Sequence, residues 1–345
     1  MDKLKSGISY RDSGVDIAAG EAAVKAIKNK VRTTYNSNVL SELGSFGGLY
    51  RIDKDKWRAP ILVSSTDGVG TKLRIAIMAE KYDTIGQDLV NHCVNDILVQ
   101  GAIPQFFLDY IGVGKLSPVM VEQVIDGLIT ACRENGCALI GGEMAEMPGI
   151  YHGNDFDLAG TIVGMVEENE LLPRKSIAGG DLLVGLASSG LHTNGFSLVR
   201  KIIFEHLKLD LDAYIPGCSA VLGDLLLAVH KSYLNVLKPF LGNPALHGLA
   251  HITGGGIGGN LSRILPDGIG ARIQLPADSI LPLYSWLQNA ADISSEEMRR
   301  TFNMGIGMIC IVQKGFAAEF ISQTGGKYIG ELSEITANQE KVVFA

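Results

Sequence analysis

Glycine is the residue that most limits what this chain can become. It occurs 42 times in 345 residues, about 12% against an ordinary usage of roughly 7%. The chain has neither the three-residue period of collagen nor low-complexity tracts. The surplus collects where apolar runs end. Gly68 and Gly70 follow Ile61–Ser65, Gly141 and Gly142 follow Cys137–Ile140, Gly190 and Gly195 follow Asp181–Ala187, and Gly254–Gly259 follow His251-Ile252. Bare backbone lets a loop come close to itself or to a ligand. The pattern therefore predicts strands that hand over to binding loops.

Charge and cysteine use exclude several classes. With 30 Lys+Arg against 37 Asp+Glu the net charge is −7, and no basic run exceeds a pair, which argues against a nucleic-acid binder. No stretch approaches the ~20 apolar residues of a membrane span. Met1–Tyr10 is polar and lacks the apolar region of a signal peptide. The five cysteines are odd in number and contain no C-x-x-C, as expected of reduced thiols in a cytoplasmic protein.

Periodicity divides the chain in two. The first half reads as a helix over 14–31, a hairpin of 48–52 with 61–65, helices over 84–100 and 118–135, and strands at 137–141 and 158–166. A polar stretch over 167–175, with Pro173, reads as a linker. Beyond it come strands at 181–187, 270–275 and 305–312, and helices over 196–207, 222–238, 260–265 and 315–324. The expectation is an α/β (α+β) chain with an N-terminal domain over 1–168 and a C-terminal α/β domain over 175–345.

The chemistry sits in a few segments. Ser64–Lys72 packs Thr66, Asp67, Gly68, Gly70, Thr71 and Lys72 behind a strand. Such backbone presents N–H groups to phosphate oxygens, and an adjacent carboxylate can hold Mg²⁺. It is not a Walker A loop, and a solvated turn capped by Asp67 is the competing reading. On helix 84–100, a 100° step places Asp88, His92, Asn95 and Asp96 in one wedge. That helix has no Lys or Arg. Carboxylates without basic partners repel unless a cation lies between them, so the stripe is expected to face a metal. Glu143, directly after a Gly pair, is a better ligand than Glu146. Ser189, Gly190, His192, Thr193 and Asn194 stand between a strand and a helix, a natural anion site. There His192 reads as a catalytic acid, a phosphate contact or a loop cap. Gly254, Gly255 and Gly256 form another anion loop. Their match to G-x-G-x-x-G through Gly259, with Asp278 about 20 residues on, keeps an NAD-dependent dehydrogenase open. Arg300 either clamps a phosphate or neutralises a buried acid. Together these features describe a Mg²⁺–nucleotide enzyme that transfers a phosphoryl group and also holds a phosphorylated substrate; the acceptor stays open.

Read in order, the segments resemble the phosphoribosylformylglycinamidine cyclo-ligase family, the aminoimidazole ribonucleotide synthetases. The resemblance is carried by Ser9–Asp16, Thr66–Leu73, Val94–Gly101, Phe107-Leu108-Asp109-Tyr110, Gly141–Tyr151, Ser188–Lys201, His251–Gly256 and Arg300–Met308, over nearly the whole chain. Ser13, Ser45, Met144 and Phe196 depart from the usual Ala, Gly, Thr and Tyr. The resemblance implies a homodimer paired through N-terminal mixed sheets, each with a second α/β domain packed against it. It also implies closure of formylglycinamidine ribonucleotide to aminoimidazole ribonucleotide with ATP converted to ADP and phosphate, a step of de novo purine biosynthesis. ATP and Mg²⁺ are the cofactors it implies. The catalytic set would be Asp67, Asp96, Glu143 and His192, with Mg²⁺ on Asp67 and Asp96 and also Glu143 and Asp88. Lys28, Thr66, Gly68, Gly70, Thr71 and Lys72 would contact nucleotide, and Ser189, Gly190, Thr193, Asn194 and Gly254–Gly256 phosphate. A selenophosphate synthetase or thiamine-phosphate kinase would use similar chemistry. The former needs an N-terminal cysteine, and none precedes Cys93.

Overall fold

The computed structural model describes residues 11–345; Ser9 and Tyr10, and the rest of the polar N-terminus, lie outside the described residues. Helix α1 (Ile17–Val31) leads to β1 (Pro60–Gly68), α2 (Leu73–Ala79), α3 (Asp83–Leu98), β2 (Ile103–Val113), α4 (Pro118–Glu134), β3 (Ala138–Glu146) and β4 (Phe156–Glu167). The four strands form one mixed sheet in the order β1-β4-β2-β3. Only β2 and β3 run parallel, joined across α4. α4 starts where the sequence signals a start. Ser117 accepts from the Met120 N–H and Pro118 occupies the first turn. α3 and α4 cover one face of the sheet. Strand β1 alternates between exposed and half-buried residues, as a strand with one covered face must.

The second sheet contains β5 (Leu182–Ala187), β6 (Leu246–His251), β7 (Ile269–Ile273), β8 (Ile306–Val312), β9 (Lys327–Glu334) and β10 (Val342–Phe344), in the order β10-β7-β9-β5-β8-β6. Its pairings are antiparallel except β10 with β7. Short helices connect them: α5 (Phe196–Arg200), continued by a π-helical turn over Lys201–His206, α6 (Leu222–Leu226), α7 (Leu234–Leu237), α8 (Gly256–Leu261), α9 (Pro282–Ala290), α10 (Ser295–Thr301) and α11 (Ala317–Thr324). One apolar cluster runs from Ile27 through Leu89 and Ile97 to Phe320, crossing from the first sheet's helices into the second half. A smaller one, with Leu183, Ile257, Ile309 and Ile329, packs α8 against the second sheet. Among the described residues no helix is long and apolar enough to cross a membrane.

Three expected elements come out differently. Residues 48–52 form no strand, and their one bridge is Tyr50 with Val39; β1 pairs instead with the distant β4, from Pro60↔Glu167 to Gly68↔Ala159. The expected helix 222–238 breaks over 227–233. The helix expected over 260–265 starts earlier, at Gly256. Gly256 itself has φ +62, and a Cβ there would stand 1.9 Å from the Arg299 carbonyl, so α10 and not a ligand demands glycine at this position.

Candidate active site

Five polar residues of α3 meet the other half of the chain. At successive turns, Asp88, Asn91, His92, Asn95 and Asp96 project from one side of the helix toward segment 228–233 and the loops after β5 and β6. Asp88 Oδ1 accepts from the His230 N–H at 2.7 Å, and the Asn91 amide donates to the His230 carbonyl at 2.8 Å. Asn95 donates to the Lys231 carbonyl at 2.8 Å and accepts from the Tyr233 N–H at 2.9 Å. Lys72 and Ser189 bond the carbonyls of Ala228 and Val229. Segment 228–233 thus exchanges its intrahelical bonds for tertiary ones, which is why a helical pattern yields a broken helix.

The same face gathers two aspartates and four histidines. His92 Nε2 lies 2.9 Å from Asp67 Oδ2 and 3.7 Å from Asp96 Oδ2. The Ser65 hydroxyl donates to Asp96 at 3.2 Å, and His251 Nδ1 is 2.8 Å from its other oxygen. His92 Nδ1 meets Thr193 Oγ1 at 2.9 Å. His192 and His230 stack with centroids 4.0 Å apart. Burial alone would raise the Asp67 carboxyl, but the His92 hydrogen bond and charge bring it below its ordinary value. Burial likewise opposes a charged His92, yet Asp67 and Asp96 outweigh it and raise the imidazole. His192 and His230, buried without carboxylate partners, are held well below the ordinary histidine range, and His251 is lowered less because Asp96 opposes its burial.

The structure thus brings together Asp67, Asp96, the Ser188–Gly195 loop and His251. Thr71 Oγ1, 3.0 Å from Ser197 Oγ, ties the first glycine loop to the same seam. Asn194 Nδ2 is buried beside Gly254 with no hydrogen-bond partner, a donor free for an anion. Gly68 N bonds its own Asp67, and the Gly190 carbonyl is taken by Tyr284 and Asn303.

Other expected members are placed elsewhere. Asp88 does not face a metal: it is fully buried, 2.7 Å from Lys72 Nζ. Lys72 is equally buried, and its ammonium reaches Asp88 and the Ala228 carbonyl. The stripe on α3 has its basic partner after all, supplied from outside the helix. His192 is 1% exposed and its Nε2 accepts from the Ser189 N–H, a contact of the kind a loop cap makes. Glu143 lies on the opposite face of the sheet from Asp67. The rows pair Asp67 with Gly160, Asp109 and Gly142, which leaves Glu143 one residue out of phase and three strands away, roughly 14 Å. Thr66 shares that outer face, hydrogen-bonded to Thr161 at 2.8 Å. Lys28 is half-buried, 3.7 Å from Glu42, and Arg300 is exposed. The dinucleotide reading fails on topology. β6 pairs only antiparallel with β8, so no parallel βαβ unit frames the glycines, and Asp278 bonds Lys327.

A second concavity, of about 140 Å³, lies between α1, α4 and β3, lined by Val24, Ile27, Val121, Ile125 and Met144 with Asp109 at its floor. Gly142 makes room for that carboxyl: a Cβ there would stand 2.4 Å from Asp109 Oδ1. Burial pushes Asp109 up to about 7. The folded protein therefore holds this proton more tightly than the unfolded chain. Stability is greatest below the ordinary carboxyl range and falls as pH rises to about 7, by at most about 4 kcal/mol. Asp109→Asn is expected to remove this decline. Melting temperatures from pH 5 to 8 check it, and parallel pH profiles for variant and parent would refute it.

Two sheets, each with its helices, meeting at a polar seam define a class as well as a shape. The family model described as AIR synthase related protein, N-terminal domain, matches residues 48–166, and its C-terminal counterpart matches residues 178–343. Among solved structures, hydrogenase maturation protein HypE in complex with ATP is similar at TM-score 0.65 and 19% identity, covering 96% of this chain and 93% of that one. Thiamine-monophosphate kinase from Stenotrophomonas maltophilia gives 0.65 at 16% identity, covering 92% and 95%; these likenesses bear on the fold. Curated relatives named phosphoribosylformylglycinamidine cyclo-ligase are much nearer in sequence. The one from Geobacter sulfurreducens is 47% identical over 98% of this chain and 99% of its own. That from Bacillus thuringiensis is 48% identical over 91% and 90%. The chain belongs to the phosphoribosylformylglycinamidine cyclo-ligase family.

Proposed function

We propose that this protein closes formylglycinamidine ribonucleotide to aminoimidazole ribonucleotide, with ATP converted to ADP and phosphate. The observation that carries the reading is the convergence of Asp67 and Asp96 with the loops after β5 and β6 at the seam. A formamide carbonyl is a poor electrophile and its oxygen a poor leaving group. Transfer of the ATP γ-phosphoryl group to that oxygen corrects both. The amidine nitrogen then attacks the carbon, the C–O bond breaks, and phosphate leaves with the oxygen. The main demand on the protein is to position and neutralise a moving phosphoryl group.

Mg²⁺ suits the donor set. Asp67 and Asp96 offer carboxylate oxygens, with side chains 44% and 25% exposed, and a cation that keeps several waters favours such partly open oxygen sites. When bound, it supplies charge neutralisation to the phosphates. Asn194 Nδ2 and the open backbone of Gly254 and Gly255 suit a phosphate of ATP or of the ribonucleotide. The outer face of the first sheet, with Leu62 62% exposed, suits pairing in a homodimer. Thr66 and Glu143 stand on that face, so pairing would bring both into the interface. We place the enzyme in the cytoplasm, with domains over 1–168 and 175–345.

The test is purified protein with Mg-ATP and formylglycinamidine ribonucleotide, with ADP and aminoimidazole product followed together. One ADP per product, dependent on the ribonucleotide, is expected. ADP release without the ribonucleotide, or none with it, overturns the proposal.

A further inference from the structure

His230 was invisible as a functional residue in the sequence, yet it occupies the middle of an unbroken hydrogen-bond circuit. The circuit runs from Asp67 to His92 (2.9 Å), Thr193 (2.9 Å), His230 (3.3 Å), His251 (3.0 Å) and Asp96 (2.8 Å). It crosses the domain seam twice, because Asp67, His92 and Asp96 belong to the first half and the other three to the second. We propose that His230 is a positioning residue whose ring orients both site aspartates across the seam, through Thr193 and His92 on one side and His251 on the other.

Hydrogen-bond chemistry fixes both ends of the circuit. A carboxylate only accepts, so His251 Nδ1 carries the proton that meets Asp96, and His92 Nε2 carries the one that meets Asp67. Between them, His230 Nε2 faces both His251 Nε2 at 3.0 Å and the Asn95 amide nitrogen, a donor, at 3.2 Å. Its Nδ1 meets Thr193 Oγ1 at 3.3 Å. Asn95 of α3 thus holds the same edge of the ring that reaches His251, and His230 is the link between the two aspartates' histidines.

The ring is also held where a filler residue would not be. Its own backbone N–H and carbonyl are fixed by Asp88 and Asn91 of α3. Its face is stacked on His192, 20° from parallel. The helix that carries His92 and Asp96 therefore also places the ring that joins their partners. A histidine kept only for packing needs neither of its nitrogens within 3.3 Å of a polar atom in another loop.

This inference rests on the reading of Asp67 and Asp96 as the metal-holding pair. Its test compares His230→Leu, His230→Gln and Thr193→Val. His230→Leu should lower kcat and raise the Mg²⁺ concentration for half-maximal rate, each by roughly 10–100-fold, as loss of an outer hydrogen-bonding partner does at metal sites. KM for the ribonucleotide should stay within about threefold. His230→Gln, whose amide can both donate and accept, should recover most of the loss. Thr193→Val, nearly isosteric, should reproduce the loss by itself, and the double variant should be no worse than either single one. Long-range ¹H–¹⁵N spectra of histidine-labelled protein should show His251 Nδ1 protonated in parent and variant alike, because Asp96 remains its acceptor, and the His251 Nε2 resonance displaced in His230→Leu by loss of its partner. A His230→Leu protein with kcat within twofold and His251 unchanged overturns the proposal, as do strictly additive losses. If His230→Leu gives no cooperative melt, Thr193→Val decides. A parent with no Mg-ATP turnover would sink the cyclo-ligase reading instead, and the spectra would still judge the circuit.

Discussion

Replacing Asp96 by Asn is expected to reduce turnover by roughly 10²–10³-fold with a cooperative melt close to that of the parent. The substitution is chosen because it separates charge from shape. Asn can still accept from His251 through Oδ1, and the side chain is 25% exposed, so little packing is lost. What disappears is half of the paired negative charge that, with Asp67, suits a hydrated divalent cation. Steady-state formation of ADP and aminoimidazole product, set beside calorimetric melting, measures the two effects separately. Raising Mg²⁺ should recover only part of the rate, because a missing ligand weakens both metal affinity and phosphate placement. Near-normal turnover at ordinary Mg²⁺ would remove Asp96, and the α3 argument with it, from the active site. A fall in rate that tracks a fall in melting temperature would assign Asp96 to the interface.

The outcome also measures what sequence alone can reveal. α4 was legible because its signals are local, an apolar face with Pro118 in the first turn. The wedge of Asp88, His92, Asn95 and Asp96 was legible as geometry, since 100° per residue needs no tertiary knowledge. What faces the wedge was not. Lys72 and His230 approach from 16 and 142 residues away from Asp88, so the inference that its carboxyl lacks a basic partner held only within the helix. The break at 227–233 was hidden for the same reason. No Gly or Pro marks it, and the capture of its backbone by Asp88, Asn91 and Asn95 overrides a sound helical pattern. Register was equally remote. The strand at 61–65 read as half of a local hairpin, yet it finds β4 a hundred residues later. The glycine loops after β1, β5 and β6 were correctly placed at strand ends, whereas Gly141 and Gly142 lie inside β3; Gly142 and Gly256 serve close packing against Asp109 and α10, which composition cannot distinguish from ligand binding.

Lys72→Met is expected to destabilise the protein by about 3–5 kcal/mol, the largest stability effect among the variants considered. Lys72 and Asp88 are both 0% exposed with Nζ and Oδ2 2.7 Å apart. Burial pushes the lysine down and the aspartate up, each toward its neutral form; their mutual attraction opposes this most, helped at Asp88 by the His230 N–H and the nearby His92. Removing the ammonium leaves a buried carboxyl without its partner and the Ala228 carbonyl without its donor, both at the seam that holds segment 228–233. Lys72→Met combined with Asp88→Asn should regain a large part of the loss, because the amide oxygen can still accept from the His230 N–H while no charge stays buried. Denaturant midpoints of the three proteins give the coupling directly, and a double variant no more stable than Lys72→Met would refute the pairing argument. The same double variant bears on function. If it folds and turns over within about tenfold of the parent, Lys72 belongs to the seam. If it folds but loses the roughly 10²-fold or more expected for a lost phosphate contact, the lysine must leave Asp88 during catalysis, and the buried pair seen here would be its resting position.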